Sequence, residues 1–244
     1  MTMIRVTACR ILPDGNLIII DNKHLLLFSY DGNFIRKVVT FKQDPYDVCF
    51  IRDNTVAVTL GSVKQTKLVD IEKNKVIQTV TLSHQCYGVV SDGETLVISS
   101  KVKQSTRVNL NDLSYTILAG MEGVFHMSLF QGNIYGTRPY QNKVICFSST
   151  GETLWTFQLR DIIEMEGITL DMNGFVYVVS QGNNSIVVAS PDGKTCKTIL
   201  SKADGIKSSR RIDINRETGM MIVVSDINNG SIFSHFCTAR VYKI

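Results

Sequence analysis

Six residues, Thr7, Tyr46, Tyr87, Phe125, Glu166 and Arg210, recur at intervals of 39, 41, 38, 41 and 44 residues, each at the head of a short apolar run. Gathered around one opening, three aromatics, an acid and a base would make a recognition ring whose faces stack on nucleobases or fill a peptide pocket. The same rings would serve equally well as a plug of core packing on an axis. Close to them in sequence stand His126, Lys101, Lys103, Arg138, Tyr140, Lys143 and Arg211. The stretch RPYQNK (138–143) interleaves charge with an aromatic ring, an arrangement used in binding single-stranded RNA. The neighbouring loops also carry Lys23, His24, Lys42, Lys64, His84, Lys202 and Lys207, against fewer acids, so this face is expected to be net basic.

Catalytic chemistry has much less to work with. The four histidines, His24, His84, His126 and His235, fall in different parts of the chain, and there is neither a G-x-S-x-G nor a Gly-rich phosphate loop. A divalent ion needs several side-chain oxygens aimed at one point. The ring offers only Glu166, with Asp47 and Asp213 out of phase with it. The six cysteines are evenly spread with no CxxC or CxC pair, which argues against zinc and for small apolar residues in a reducing compartment. No catalytic residue, metal or cofactor is therefore expected.

The elements that would position the ring are read from the turns. PDGN (13–16), RDNT (52–55), SDGE (91–94), QGN (131–133), MNGF (172–175) and RETG (216–219) mark comparable places. Gly15, Asn54, Gly93, Gly132, Gly174 and Gly219 within them are spaced by 39, 39, 39, 42 and 45 residues, the period of a four-stranded propeller blade. The runs that follow, such as LIIID, VAVTL, TLVISS, VYVVS and MIVVSD, are β-branched and short, as strands require. At most one helical turn is expected, in RDIIEMEG (160–167). A sandwich has no reason to repeat six times, whereas radial blades do. The predicted fold is a single all-β, six-bladed β-propeller with blades at roughly 6–40, 46–82, 87–119, 124–159, 166–200 and 210–244. The last blade is either three-stranded or closed by residues 1–4, and 227–238 reads as the longest inserted loop, carrying Phe233, His235 and Phe236. With a net charge of +4, no run of 18 apolar residues and no signal-like start, the reading is a cytoplasmic protein that does not enter a membrane.

The segment GITLDMNGFVYVVSQGNNSIVVASPDGKTCKTIL resembles an NHL repeat, and CRILPDGNLIIIDNKHLLLFSYDGNFIRKVV matches more loosely. The other units keep the strands but lose the Asn-Asn. The chain as a whole is similar to the C-terminal propeller of tripartite-motif (TRIM-NHL) proteins, without their RING, B-boxes and coiled coil. The resemblance implies a substrate- or partner-recognition domain of a ubiquitin ligase, or alternatively a single-stranded RNA-binding propeller, and a monomer, since the family dimerises through its coiled coil. Six-bladed propellers also include metal-dependent lactonase-like hydrolases, a more distant alternative.

Overall fold

The computed structural model describes residues 6–101, 103–158, 164–228 and 235–243. Each repeat folds into one antiparallel sheet whose strands follow chain order outward from the axis. Blade one is β1 (Val6–Ile11), β2 (Leu17–Asp21), β3 (His24–Phe28) and β4 (Phe34–Thr40); blade two is β5 (Val48–Arg52), β6 (Thr55–Leu60), β7 (Gln65–Asp70) and β8 (Lys75–Thr81). Blade three is β9 (Val89–Ser91), β10 (Thr95–Ile98), β11 (Ser105–Asn109) and β12 (Tyr115–Leu118); blade four is β13 (Met127–Phe130), β14 (Asn133–Arg138), β15 (Lys143–Phe147) and β16 (Thr153–Gln158). Blade five is β17 (Met165–Leu170), β18 (Val176–Ser180), β19 (Ser185–Ala189) and β20 (Cys196–Leu200). Blade six is β21 (Ser209–Asn215), β22 (Met220–Asn228) and β23 (His235–Lys243). The protein is a six-bladed β-propeller whose last blade has three strands among the described residues.

The turn residues explain the hairpins. Gly15, Asn54, Gly93, Gly132, Gly174 and Gly219 all adopt positive φ, between 58° and 95°, which tight antiparallel connections need and which Gly and Asn supply at least strain. Second strands such as β2 and β18 are buried along their whole length, whereas the fourth strands alternate or lie open. Between neighbouring blades the aliphatic faces merge into apolar clusters, one per seam. Ring closure is made by Val6, Cys9 and Ile11 packing with Ile222 and Val224, and by the Ile11 amide donating to the Asp213 carboxylate at 2.8 Å.

Two expectations change. Glu166 and Gly167 lie in strand β17 rather than in a helical turn, and 159–163 fall outside the described residues. Within the expected loop 227–238, the described residues 227–228 and 235–238 extend strands: Asn228 pairs with His235 and Ser225 with Thr238, because strand pairing satisfies backbone groups that a loop would leave to solvent. Phe233 lies outside the described residues, as do residues 1–4.

Candidate functional site

The inner strands bring the spaced residues together at one mouth of the channel. Tyr46, Tyr87 and Phe125 each donate a backbone N–H to the end of their own second strand, at Thr59, Ser99 and Thr137 respectively. The hydroxyls of those residues then reach across the seam. Thr59 donates to the Tyr87 carbonyl, Ser99 to that of Phe125 at 3.0 Å and Thr137 to that of Glu166 at 3.2 Å. A small hydroxyl at the end of one blade's second strand thus pins the ring residue of the next. Ser180 and Ser225 hold the matching, buried places in blades five and six. The repeated Ser/Thr was visible in the sequence and its role was not.

The aromatics form one connected wall. Tyr46 meets Tyr87 edge-on at 4.8 Å, Tyr87 stacks near Phe125 at 5.7 Å, and Phe125 meets Tyr140 edge-on at 6.1 Å. Lys101 lays its ammonium over both Tyr87 and Phe125, 4.6 and 4.5 Å from the ring centres, a cation–π contact with two faces. Tyr87 is nearly buried, Tyr46 is 37% exposed and Tyr140 is 90% exposed. The wall therefore has a fixed inner part and an open rim.

Beside it lies a charged trio. His126 Nε2 is 3.1 Å from Glu166 Oε2, and Arg211 Nη1 is 3.0 Å from the same oxygen. Arg211 also donates through Nε to the Thr7 carbonyl and through Nη1 to the Arg210 carbonyl. This corrects the expected ring: Arg211, not Arg210, carries the guanidinium to Glu166. The cause is a register shift between Ser209 and Arg211, which turns the next side chain to that place. Burial alone would raise the Glu166 carboxyl, but His126 and Arg211 outweigh it and hold it at about 2. Burial, then Arg211, depresses His126, so its imidazole is neutral at pH 7, with Nε2 3.1 Å from Glu166 Oε2 and 3.3 Å from Arg211 Nη1.

Acid should therefore destabilise the fold in two windows. Below pH 6.5 the unfolded chain takes up a proton that folded His126 refuses. The stability contributed by Glu166 is full above pH 4.5 and is lost as pH falls toward about 2. Asp213, raised by burial, works in the opposite sense. Urea unfolding between pH 7 and pH 3 should show a falling free energy whose lower limb is flattened in Glu166→Gln. An unchanged lower limb in that variant would show that Glu166 does not carry it.

Deeper in the channel, Asp47 and Asp213 prove to be interior residues. Asp47 is 2% exposed, pairs with Arg10 at 3.2 Å and accepts the amides of Val48 and Val89. With these carboxylates committed to an arginine and to backbone amides, no three His, Cys, Asp or Glu side chains converge as a metal site among the described residues. The far mouth holds a cavity of about 310 Å³ lined by all six inner strands, with Arg216 spanning from Leu170 to Ser128.

The other predicted residues scatter. Arg138 donates to the Gly120 carbonyl at 2.8 Å, Lys143 opens β15 opposite Gln158, and Lys103 and Arg210 are exposed. His84, expected on the basic face, is instead buried, with Nε2 2.7 Å from the Thr106 hydroxyl. Cys9, Cys49, Cys86 and Cys146 are buried free thiols, the first two pushed up to about 12 by burial; Cys196 is exposed.

Fold and mouth together define a β-propeller with an aromatic, partly open channel entrance. Two solved structures from Bacteroides thetaiotaomicron share the architecture. A structural-genomics protein of unknown function superposes with a TM-score of 0.77 at 14% identity, over 99% of this chain and 70% of its own. An auxiliary nutrient binding protein gives 0.73 at 11% identity, over 97% and 69%. At these identities the likeness establishes the fold alone. No protein-family model matches the sequence, and no curated protein matches it either.

Proposed function

We propose that the chain is a non-catalytic recognition module that binds a peptide segment of a protein partner across the aromatic wall of blades two to four. The observation that carries this reading is the wall itself, a fixed pair of rings bordered by two exposed tyrosines. Rings of this kind act as low-entropy anchors in protein interfaces. Three bases that would otherwise attract a phosphate backbone are already engaged: Lys101 on two rings, Arg138 on a carbonyl, Arg211 on Glu166. Glu166 interrupts the positive charge of Lys101, Arg138 and Arg211 at this mouth, which favours peptide over RNA. The resemblance to NHL repeats makes the substrate-selecting part of a TRIM-type ubiquitin ligase the setting we favour.

The test is a random twelve-residue peptide library selected on the immobilised propeller and counter-selected on the Tyr46→Ala, Tyr140→Ala double variant. Selected peptides should bind the wild type and lose about 30-fold or more in affinity on the variant, the scale of hot-spot truncation. Its melting temperature should stay close to the wild type's. If no peptide survives counter-selection while a single-stranded RNA binds with a steep salt dependence that Lys101→Glu with Arg138→Glu removes, the RNA reading replaces this one.

A further inference from the structure

The far mouth of the channel lies away from the aromatic wall. Its cavity of about 310 Å³ is at the lower end of the range of small-molecule pockets, about 300–1,000 Å³. The six turns that frame it, at 12–16, 53–54, 92–94, 131–132, 171–175 and 216–219, all fall within the described residues. The walls are apolar at Phe50, Met127, Leu129 and Ile214. Arg10, Asp213 and Arg216 bring charge to the interior, while Glu217 is exposed at the rim. Arg10 is neutralised by Asp47 at 3.2 Å.

Asp213 and Arg216 have no such partner. Asp213 accepts the Ile11 amide at 2.8 Å and the Thr169 hydroxyl at 3.4 Å. Arg216 donates through Nε to the Leu170 carbonyl at 3.1 Å, and through Nη2 to the Leu129 carbonyl and the Ser128 hydroxyl. All of these partners are neutral, and among the described residues Nη1 of Arg216 has no acceptor. The two ions stand three positions apart in the chain, hence within about 10 Å of each other along the backbone. They line one cavity without pairing. Burial pushes the Asp213 carboxyl up and the Arg216 guanidinium down, as it does to ions that lose water without gaining a counter-ion. A ligand that brings both counter-ions recovers that loss.

This requirement selects the ligand. A phosphate or a simple carboxylate would suit Arg216 but would face Asp213. A divalent cation would face two guanidiniums and a single carboxylate, where it needs several oxygens. A molecule carrying a carboxylate and an ammonium side by side, with an apolar body, meets both ions and the walls together.

We propose that the far mouth is a second binding site, for a free α-amino acid with an apolar side chain. Its carboxylate lies on Nη1 of Arg216, its ammonium on Asp213 and its side chain between Phe50 and Leu129. The site is independent of the aromatic mouth and of the peptide assigned to it.

Calorimetric titration of the full 244-residue protein with L-leucine, L-methionine and L-phenylalanine is the test. At least one should bind saturably. The N-acetyl derivative and the amide of the tightest binder, each lacking one of its two charges, should bind about 10-fold more weakly or worse. Asp213→Asn, which keeps an acceptor for the Ile11 amide, should lower the affinity by a similar factor. Leu129→Trp fills the cavity without touching either ion, so it should abolish binding even where Asp213→Asn fails to fold. Tyr46→Ala with Tyr140→Ala should leave amino-acid binding unchanged, whatever it does to peptides. The proposal is overturned if none of the three amino acids binds the folded protein, or if both single-charge analogues bind as well as the parent. Binding indifferent to Leu129→Trp, or lost in the double tyrosine variant, would place the ligand elsewhere and overturn it too.

Discussion

Replacing Asp47 with alanine is expected to destabilise the propeller by about 3–5 kcal/mol, the cost of leaving a buried ion without its partner. Asp47 joins three blades at once. It sits at the head of blade two's inner strand, holds Arg10 of blade one at 3.2 Å, and caps the Val89 amide of blade three at 3.1 Å. Both charged side chains are largely shielded, at 15% and 3% exposure, so solvent does little to compensate when one is removed. Arginine cannot shed its proton to escape, and two amides lose their acceptor as well. For a chain of this size the loss corresponds to a fall in melting temperature of roughly 10 °C. Asp47→Asn, which keeps an acceptor but not the charge, should lose less. Urea unfolding of the two variants beside the wild type is the check, and a loss under about 1 kcal/mol for the alanine would mean that the carboxylate does not hold the inner ring together.

Gly88→Ala is the second large effect. A Cβ at this position would stand 2.3 Å from the Phe125 carbonyl oxygen, a backbone atom that cannot rotate aside. The inner strands of blades three and four would have to separate, at a cost of about 1–3 kcal/mol or more. The Ser99 hydroxyl, which accepts from the Gly88 amide and donates to the same Phe125 carbonyl, would lose one of those bonds. Because Phe125 is the centre of the aromatic wall, peptide affinity should fall together with stability. Gly136→Ala is the informative contrast, since its closest obstacle is a side-chain methyl of Val124, which can shift. Thermal melts and peptide titrations of both variants will read this out. Equal effects at the two positions would argue against the backbone contact as the cause.

Much of the fold could be read from the turn residues, because a positive φ restricts the choice of side chain. The six markers spaced by 39 to 45 residues each adopt positive φ in the turn from a blade's first strand to its second. The aromatic alignment was legible for the same reason: Tyr46, Tyr87 and Phe125 lie eight, six and seven residues before those turns, and the structure brings them into contact. Register faults were not legible. The shift between Ser209 and Arg211 puts Arg211 where Arg210 was expected, and nothing in the local residue types announces it. Nor did residue type alone reveal what Asp47 and Asp213 do, because their partners Arg10, Val89 and Ile11 are distant in sequence. His84 looked like a loop base and is a buried hydrogen-bonding residue, because Thr106 offers its hydroxyl from another strand.

The aromatic wall also sets a limit on what the basic residues can do. A lysine held over two rings keeps its charge but loses freedom, so its contribution to a phosphate contact is reduced from the start. Tyr140, almost wholly exposed and touching only the edge of Phe125, is the part of the wall best placed to meet a partner first.

The most direct test of a peptide-binding mouth is backbone hydrogen exchange of the propeller with and without a peptide recovered from the counter-selected library. Protection is expected at residues 46–47, 87–88, 99–101 and 138–142, the segments that carry or adjoin Tyr46, Tyr87, Lys101 and Tyr140. Protection confined to the opposite mouth around Arg216, with these segments unchanged, would contradict the assignment of the site.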